Sequence, residues 1–192
     1  LKVGYYELEY FMQWGTPQDL EEYMNWSKVF RSLLTKNNTK YNAQGSLVLT
    51  MAGKGKRFID EGYKDTKPLI KVSNKPMFIR AINSMPNTES KYLITQEDNY
   101  FLEKLNNEIK ELNNKDEFKI KNLRSATEGQ AISCIKGLQK ENLKNPITVT
   151  ACDHACFYDM EEFLKNLKDR SIDIIVWGYR KHANAIRNPH MY

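Results

Sequence analysis

Cysteine is scarce in this sequence. Cys134, Cys152 and Cys156 are the only three in 192 residues. An odd count without a paired spacing excludes a disulfide-stapled fold and fits a reducing cytoplasm. Long apolar runs are missing too: no stretch reaches the ~18 residues of a membrane span. No secretory leader opens the chain, which starts at Leu1 rather than Met, so its first residue excludes nothing. Charge of one sign is in small excess. A net +5 suits a phosphorylated ligand, a nucleic acid or plain solubility alike. Neither a full GxGxxG nor a GxxxxGK[ST] occurs, which removes two familiar phosphate-binding signatures. What is present, 41% hydrophobic and 28% charged residues, is the composition of a soluble globular chain able to bury a core. The length suits one domain with a piece of another.

Residues 1–34 read as one unit. "YYELEYFMQ" alternates as a strand does. "WGTPQDLEEY" opens a helix, with Thr16 as N-cap, Pro17 at the first helical position and Asp19 placed for a capping box. Leu20, Tyr23, Met24, Phe30 and Leu34 give that helix an apolar face. Residues 35–45 are polar and Asn-rich and read as a linker. From Ser46 the pattern changes. Strands are expected at 47–51, 91–95, 118–123, 146–151 and 172–178. Helices are expected at 75–85, 97–113, 129–139 and 159–170. Strands alternating with helices predict an α/β fold, Rossmann-like, with a mainly parallel sheet between two helical layers and right-handed crossovers.

In such a sheet ligands sit beyond the carboxyl ends of the strands. "AGKGKRF", residues 52–58, lies there. Gly53 and Gly55 let a ligand approach the backbone closely, and Lys54, Lys56 and Arg57 add charge. From Met51 to Lys75 seven basic residues face three acidic ones, a local +4. A polyphosphate is the natural guest; a solvated Gly/Lys turn is the plainer alternative. Phe58 stands where a dinucleotide motif would carry its last glycine.

The loop is followed by "TKPLIKVSNKPM", then by "SATEGQA" and "VTACDHA". In this order the four elements resemble the signature of sugar-nucleotide pyrophosphorylases and related bacterial nucleotidyltransferases, over residues 46–192. The resemblance implies a fold of the nucleotide-diphospho-sugar transferase type. It also implies transfer of a nucleoside monophosphate from an NTP to a phosphorylated sugar or small molecule, with pyrophosphate released. "TMAGKGKRF" is similar to the loop of cytidylyltransferase-like relatives, which favours CTP. Surface-polysaccharide precursor synthesis in the cytoplasm is the implied setting, with no nucleic-acid partner.

Roles follow from the resemblance. The backbone at Ala52, Gly53 and Gly55, with Lys56, would cradle the triphosphate. Arg57 would hold the β- and γ-phosphates through its donor fork and stabilise the departing pyrophosphate, a catalytic role. Lys67 would stand near the α-phosphate, where negative charge builds in the transition state. Thr127, Gly129 and Gln130 sit at a turn that opens a helix, suited to a base edge or ribose; a simple cap by Thr127 or Ser125 is the alternative. Asp153 would hold Mg2+ together with phosphate oxygens, unless it merely caps the helix that follows. "CDHAC" invites a zinc reading through Cys152, His154 and Cys156. We reject it, since a short cluster at a strand end offers at most three ligands pointing alternately to opposite sides. Tyr179, Lys181 and His182 follow the last expected strand and suit either an acceptor phosphate or an ordinary loop.

"FMQWGTPQDLEEY" itself resembles the C-terminal strand and helix of such a domain, with Gln13 where many members carry a metal-binding aspartate. A C-terminal piece thus precedes an N-terminal one. That implies a tandem protein, a permuted domain, or completion between copies. Two other functions are weighed: a glycosyltransferase of similar fold, disfavoured by the lysine after the loop and the lone Asp153, and a non-catalytic nucleotide-binding scaffold, which Gln13 keeps open.

Overall fold

A computed structural model describes residues 14–35, 42–96, 98–112, 117–141 and 145–178. The chain divides into two compact units, residues 40–164 and residues 1–39 with 165–192. Its elements in order are α1 (Pro17–Thr35), β1 (Ser46–Thr50), α2 (Lys56–Asp60), β2 (Lys71–Val72), β3 (Lys75–Pro76), α3 (Met77–Ser84), β4 (Ser90–Gln96), α4 (Asn99–Glu111), β5 (Glu117–Leu123), α5 (Gln130–Leu138), β6 (Ile147–Ala151) and α6 (Met160–Lys168).

Four strands form the sheet of residues 40–164 in the order β5-β4-β1-β6, every pair parallel. β1 is central and apolar because both of its faces are covered. Leu47, Leu49 and Met51 pack with Phe78, Ile79 and Ile82 of α3 and with Phe101 and Leu105 of α4. Val48 and Ala52 point the other way, onto Tyr92, Ile94 and Leu123, where Cys134 and Leu138 of α5 join them. Each such fully buried leucine contributes about 2 kcal/mol. The three-layer arrangement expected from the alternation is therefore present. β5 runs along one edge and carries Lys119 and Lys121. Lys121 pairs with Glu141, whose other oxygen accepts from the Tyr92 hydroxyl at 2.9 Å.

The register of β1 and β6 is fixed where they begin. The Ser46 amide donates to the Pro146 carbonyl at 3.0 Å. Gly45 passes that carbonyl with φ +102°, and a Cβ there would lie 2.0 Å from its oxygen. Only glycine fits. From that start Ser46 faces Ile147 and Thr50 faces Ala151, so both strands also end level. The Thr50 hydroxyl donates to the Thr150 carbonyl at 3.3 Å. Packing begins just before β1, inside the stretch read as a linker: Asn42 bridges Asn87, and Ala43 is buried.

In the other unit α1 starts as expected. The Thr16 amide donates to Asp19 and the Asp19 amide to Thr16, both at 3.2 Å. Its apolar residues Leu20, Tyr23, Met24 and Phe30 are exposed rather than covered. The strand expected over 172–178 is a correction. Residues 174–178 have no regular structure, and Ile174 and Val176 are 80% and 85% exposed. A strand needs a neighbour to share its backbone hydrogen bonds, and no described strand pairs with this run. The strand expected at 5–13, with Gln13, lies outside the described residues. Among the described residues no helix is long and apolar enough to cross a membrane.

Candidate functional site

Strand order reverses beside β1. The chain steps from β1 to β4 to β5 on one side, then returns to lay β6 on the other. Crevices in α/β sheets open at such a switch point, beyond the carboxyl ends of the strands. Here a cleft of about 240 Å³ opens there. Thr50 to Gly53 line it from β1, Ala151 to Asp153 from β6, Lys67 and Pro68 from the intervening loop, and Thr127, Gly129, Gln130 and Ser133 from the start of α5. The level ends of β1 and β6 bring Gly53 and Asp153 to one mouth, as the motif positions predict.

Lys67 and Asp153 meet in this cleft. The ammonium donates to the carboxylate Oδ2 across 86 residues of sequence. The side chains are 21% and 33% exposed, so the pair is partly withdrawn from water. Lys67 is held from below. It begins a 3-10 turn whose Pro68 and Leu69 are buried, and the Leu69 amide donates to the Thr66 carbonyl at 2.8 Å. Its Nζ also lies 5.9 Å from the centre of the Phe58 ring, within the range of a cation–π contact. Gly55 sits against it, with φ +61° and room for a Cβ only 3.0 Å from the Lys67 Cβ.

Burial alone would push the Asp153 carboxyl up. The hydrogen bond and charge of Lys67, helped by His154, outweigh it and leave the group below its ordinary value. Asp153 does not cap α6: Asp159 does, accepting from the Glu162 amide at 3.0 Å. Beside it Cys152 is buried, and desolvation together with the Asp153 charge pushes its thiol up to about 11. Cys152 turns into the core while the side chain of His154 is 66% exposed. Among the described residues no three His, Cys, Asp or Glu side chains converge as a metal-binding group.

At the α5 start, Thr127 does not cap the helix. Gly129 holds the cap position without a side-chain bond. The Thr127 hydroxyl instead donates to the Gly129 carbonyl at 3.1 Å and pairs with the Ser133 hydroxyl at 2.5 Å. These bonds brace the turn and leave the first amides of α5 directed along the helix start, where anions and polar ligand groups are favoured.

The cleft thus gathers Ala52, Gly53, Lys67, Thr127, Gly129, Gln130 and Asp153. It does not include Gly55, Lys56 or Arg57 among its walls. Lys56 and Arg57 are exposed on α2, and Arg57 forms no ion pair among the described residues. Tyr179, Lys181 and His182 lie outside those residues. Two contributors were not foreseen. Phe58 looked only like a missing glycine, and Ser133 had a usable signal: it falls on the first turn of α5, one helical step from Gly129. The donor set suits magnesium in one form only. A single hard carboxylate, outside any group of three metal-binding side chains among the described residues, can hold the ion where phosphate oxygens and waters complete its shell.

Residues 46–187 match the profile of the family described as Nucleotidyl transferase. Comparison with curated proteins gives no match. A similar solved structure is the nucleoside-diphosphate-sugar pyrophosphorylase from Vibrio cholerae RC9, at 22% identity and a TM-score of 0.47, covering 61% of this chain and 52% of that one. The chain therefore spans about half the length of that structure. The family match takes in all four strands of the parallel sheet and every wall of the cleft: this chain belongs to the nucleotidyl transferase family.

Proposed function

We propose that this chain carries the nucleotide-binding part of a nucleotidyltransferase. It would move a nucleoside monophosphate from an NTP, CTP being favoured by its loop, to a phosphorylated sugar or similar small molecule. An acceptor phosphate oxygen attacks the α-phosphorus, the bond to the bridging oxygen breaks, and pyrophosphate leaves. Such chemistry asks for positioning and charge balance more than for covalent help. The backbone at Ala52 and Gly53 would take the triphosphate; a Cβ at Gly53 would meet nothing within 4 Å, so space for a ligand accounts for that glycine better than internal packing does. Lys67 would stabilise charge at the α-phosphate, and Arg57 with Lys56 would close over the outer phosphates. Thr127, Gly129 and Gln130 would meet base and ribose. Asp153 would hold magnesium with the phosphates, and the ion would supply the positive charge that Arg57 and Lys67 lack against about four negative ones. Surface-polysaccharide precursor synthesis in the cytoplasm is the proposed setting. The proposed partner is a further nucleotidyltransferase-like domain, in tandem or in a second copy.

The observation that carries this proposal is the meeting of Lys67 and Asp153, 86 residues apart, in the cleft at the switch point. Melting temperatures with each of the four NTPs and magnesium test it, since a bound nucleotide raises the melting point by mass action. Calorimetric titration with magnesium and with EDTA then isolates Asp153. Magnesium should strengthen binding, and Asp153→Asn should remove most of that gain while the fold stays intact. Asn and Asp cap helices about equally, so an unchanged magnesium dependence would mark Asp153 as structural. A chain whose melting point moves with none of the four is not an NTP-binding protein.

A further inference from the structure

We infer that Lys67 and Asp153 act as a latch: in the free protein each is the other's counter-ion, and the cleft accepts a polyphosphate readily only when a divalent cation arrives with it. This rests on the proposed function and adds an order to its binding events. The geometry is specific. The Lys67 ammonium is bound to the Asp153 carboxylate, and the pair is partly withdrawn from water. The His154 Nε2 lies 3.9 Å from the second Asp153 oxygen. The Phe58 ring flanks the ammonium.

The charges then dictate what each ligand meets. A polyphosphate arriving alone must draw Lys67 away and leave Asp153 bare, facing an anion. A divalent cation arriving alone must take Asp153 and leave Lys67 bare, facing a cation. When both arrive, the two protein charges exchange partners and neither is stranded. Separating a partly buried pair without new partners is unfavourable, because the low local polarity that strengthens the pair also penalises each charge left alone. Anion and cation binding are therefore coupled through this pair, and the coupling is reciprocal.

The inference makes a prediction opposite in sign to that of a simple metal ligand. With EDTA present, Asp153→Asn should tighten binding, because Lys67 is then already released. Inorganic pyrophosphate is the probe, since it needs no knowledge of the base. Calorimetry in EDTA compares wild type, Asp153→Asn, Lys67→Met and the double variant, each checked for an intact fold by circular dichroism, with Lys67→Gln in reserve should the Met variant not fold. Asp153→Asn should tighten pyrophosphate about fivefold to tenfold in the wild-type background, and by less than about twofold when position 67 is Met. An equal gain in both backgrounds would mean that Asp153 merely repels the anion, and would overturn the latch. No gain in either background overturns it as well, with the phosphate site left standing. If pyrophosphate binds none of the four proteins, the phosphate-site proposal itself falls, and the latch with it.

Discussion

Lys67 and Arg57 are two cations ten residues apart, both implied in catalysis by the same motif, and the fold treats them differently. Lys67 stands on a turn anchored by buried Pro68 and Leu69, beside Gly55 and Phe58, and is already bound to an anion of its own chain. Arg57 stands on the five-residue α2, exposed and without an ion pair among the described residues. A cation fixed before the ligand arrives loses little freedom on binding and suits the transition state. One that waits in solvent must be ordered by the ligand it meets, so part of its interaction is spent on that ordering. Position in a motif does not distinguish the two; packing does.

The largest expected effect is at Lys67. Lys67→Ala should lower kcat by about 100-fold and change nucleotide affinity far less, because its charge matters most as the α-phosphate becomes more negative. Pyrophosphate release measured with a competent acceptor checks this; equal rates in mutant and wild type would erase the contrast with Arg57. Arg57→Ala should act on binding instead, weakening NTP affinity about tenfold with the melting point unchanged, as befits an exposed side chain. Calorimetry decides it, and a kcat loss as deep as that of Lys67→Ala would show Arg57 to be equally well placed.

Gly55→Ala should sharpen the comparison, because it disturbs Lys67 without removing it. Alanine at φ +61° costs about 1 kcal/mol, and its Cβ would press on Lys67. We expect a lower melting point and a kcat loss of about tenfold, with Gly53→Ala, where a Cβ meets nothing, leaving the melting point in place. The smallest effect concerns pH. Asp153 has a folded-state value below its usual 3.8, so its contribution to stability is full above about pH 4 and is lost as pH falls through the lower, folded value. The carboxylate is a third exposed, and solvent screening keeps this within ~1 kcal/mol. Melting curves of wild type and Asp153→Asn from pH 7 to pH 3 should therefore differ slightly at neutral pH and converge in acid.

The centre of the sheet was legible because β1 is buried on both faces: Leu47, Val48 and Leu49 form an unbroken apolar run that needs no alternation to be read. The position of the site was legible as well, since each motif directly follows a strand or opens a helix. Three things were not. The run at 172–178 has the composition of a strand, but composition cannot supply the neighbour a strand requires. Gly53 and Gly55 look alike in "AGKGKRF", yet only the backbone angle and a 3.0 Å approach reveal that the second one serves Lys67 rather than the cleft. Thr127 has the residue type of a helix cap, but the chain turns so that Gly129 takes that place. In each case the missing information was a distance between residues that local sequence does not fix.

The close pass of Gly45 over the Pro146 carbonyl works as a starting line. β1 and β6 set off side by side from it, run five residues each, and finish side by side at Thr50 and Ala151. One residue inserted into either strand would advance its end by about 3.3 Å and turn every later side chain to the opposite face. Thr50 would leave Thr150, and Gly53 would drift from Asp153. The two strands are thus measured against each other from the far end of the sheet. Anyone transplanting this cleft into another parallel sheet would have to carry over the glycine and proline at the start as well as the residues at the finish.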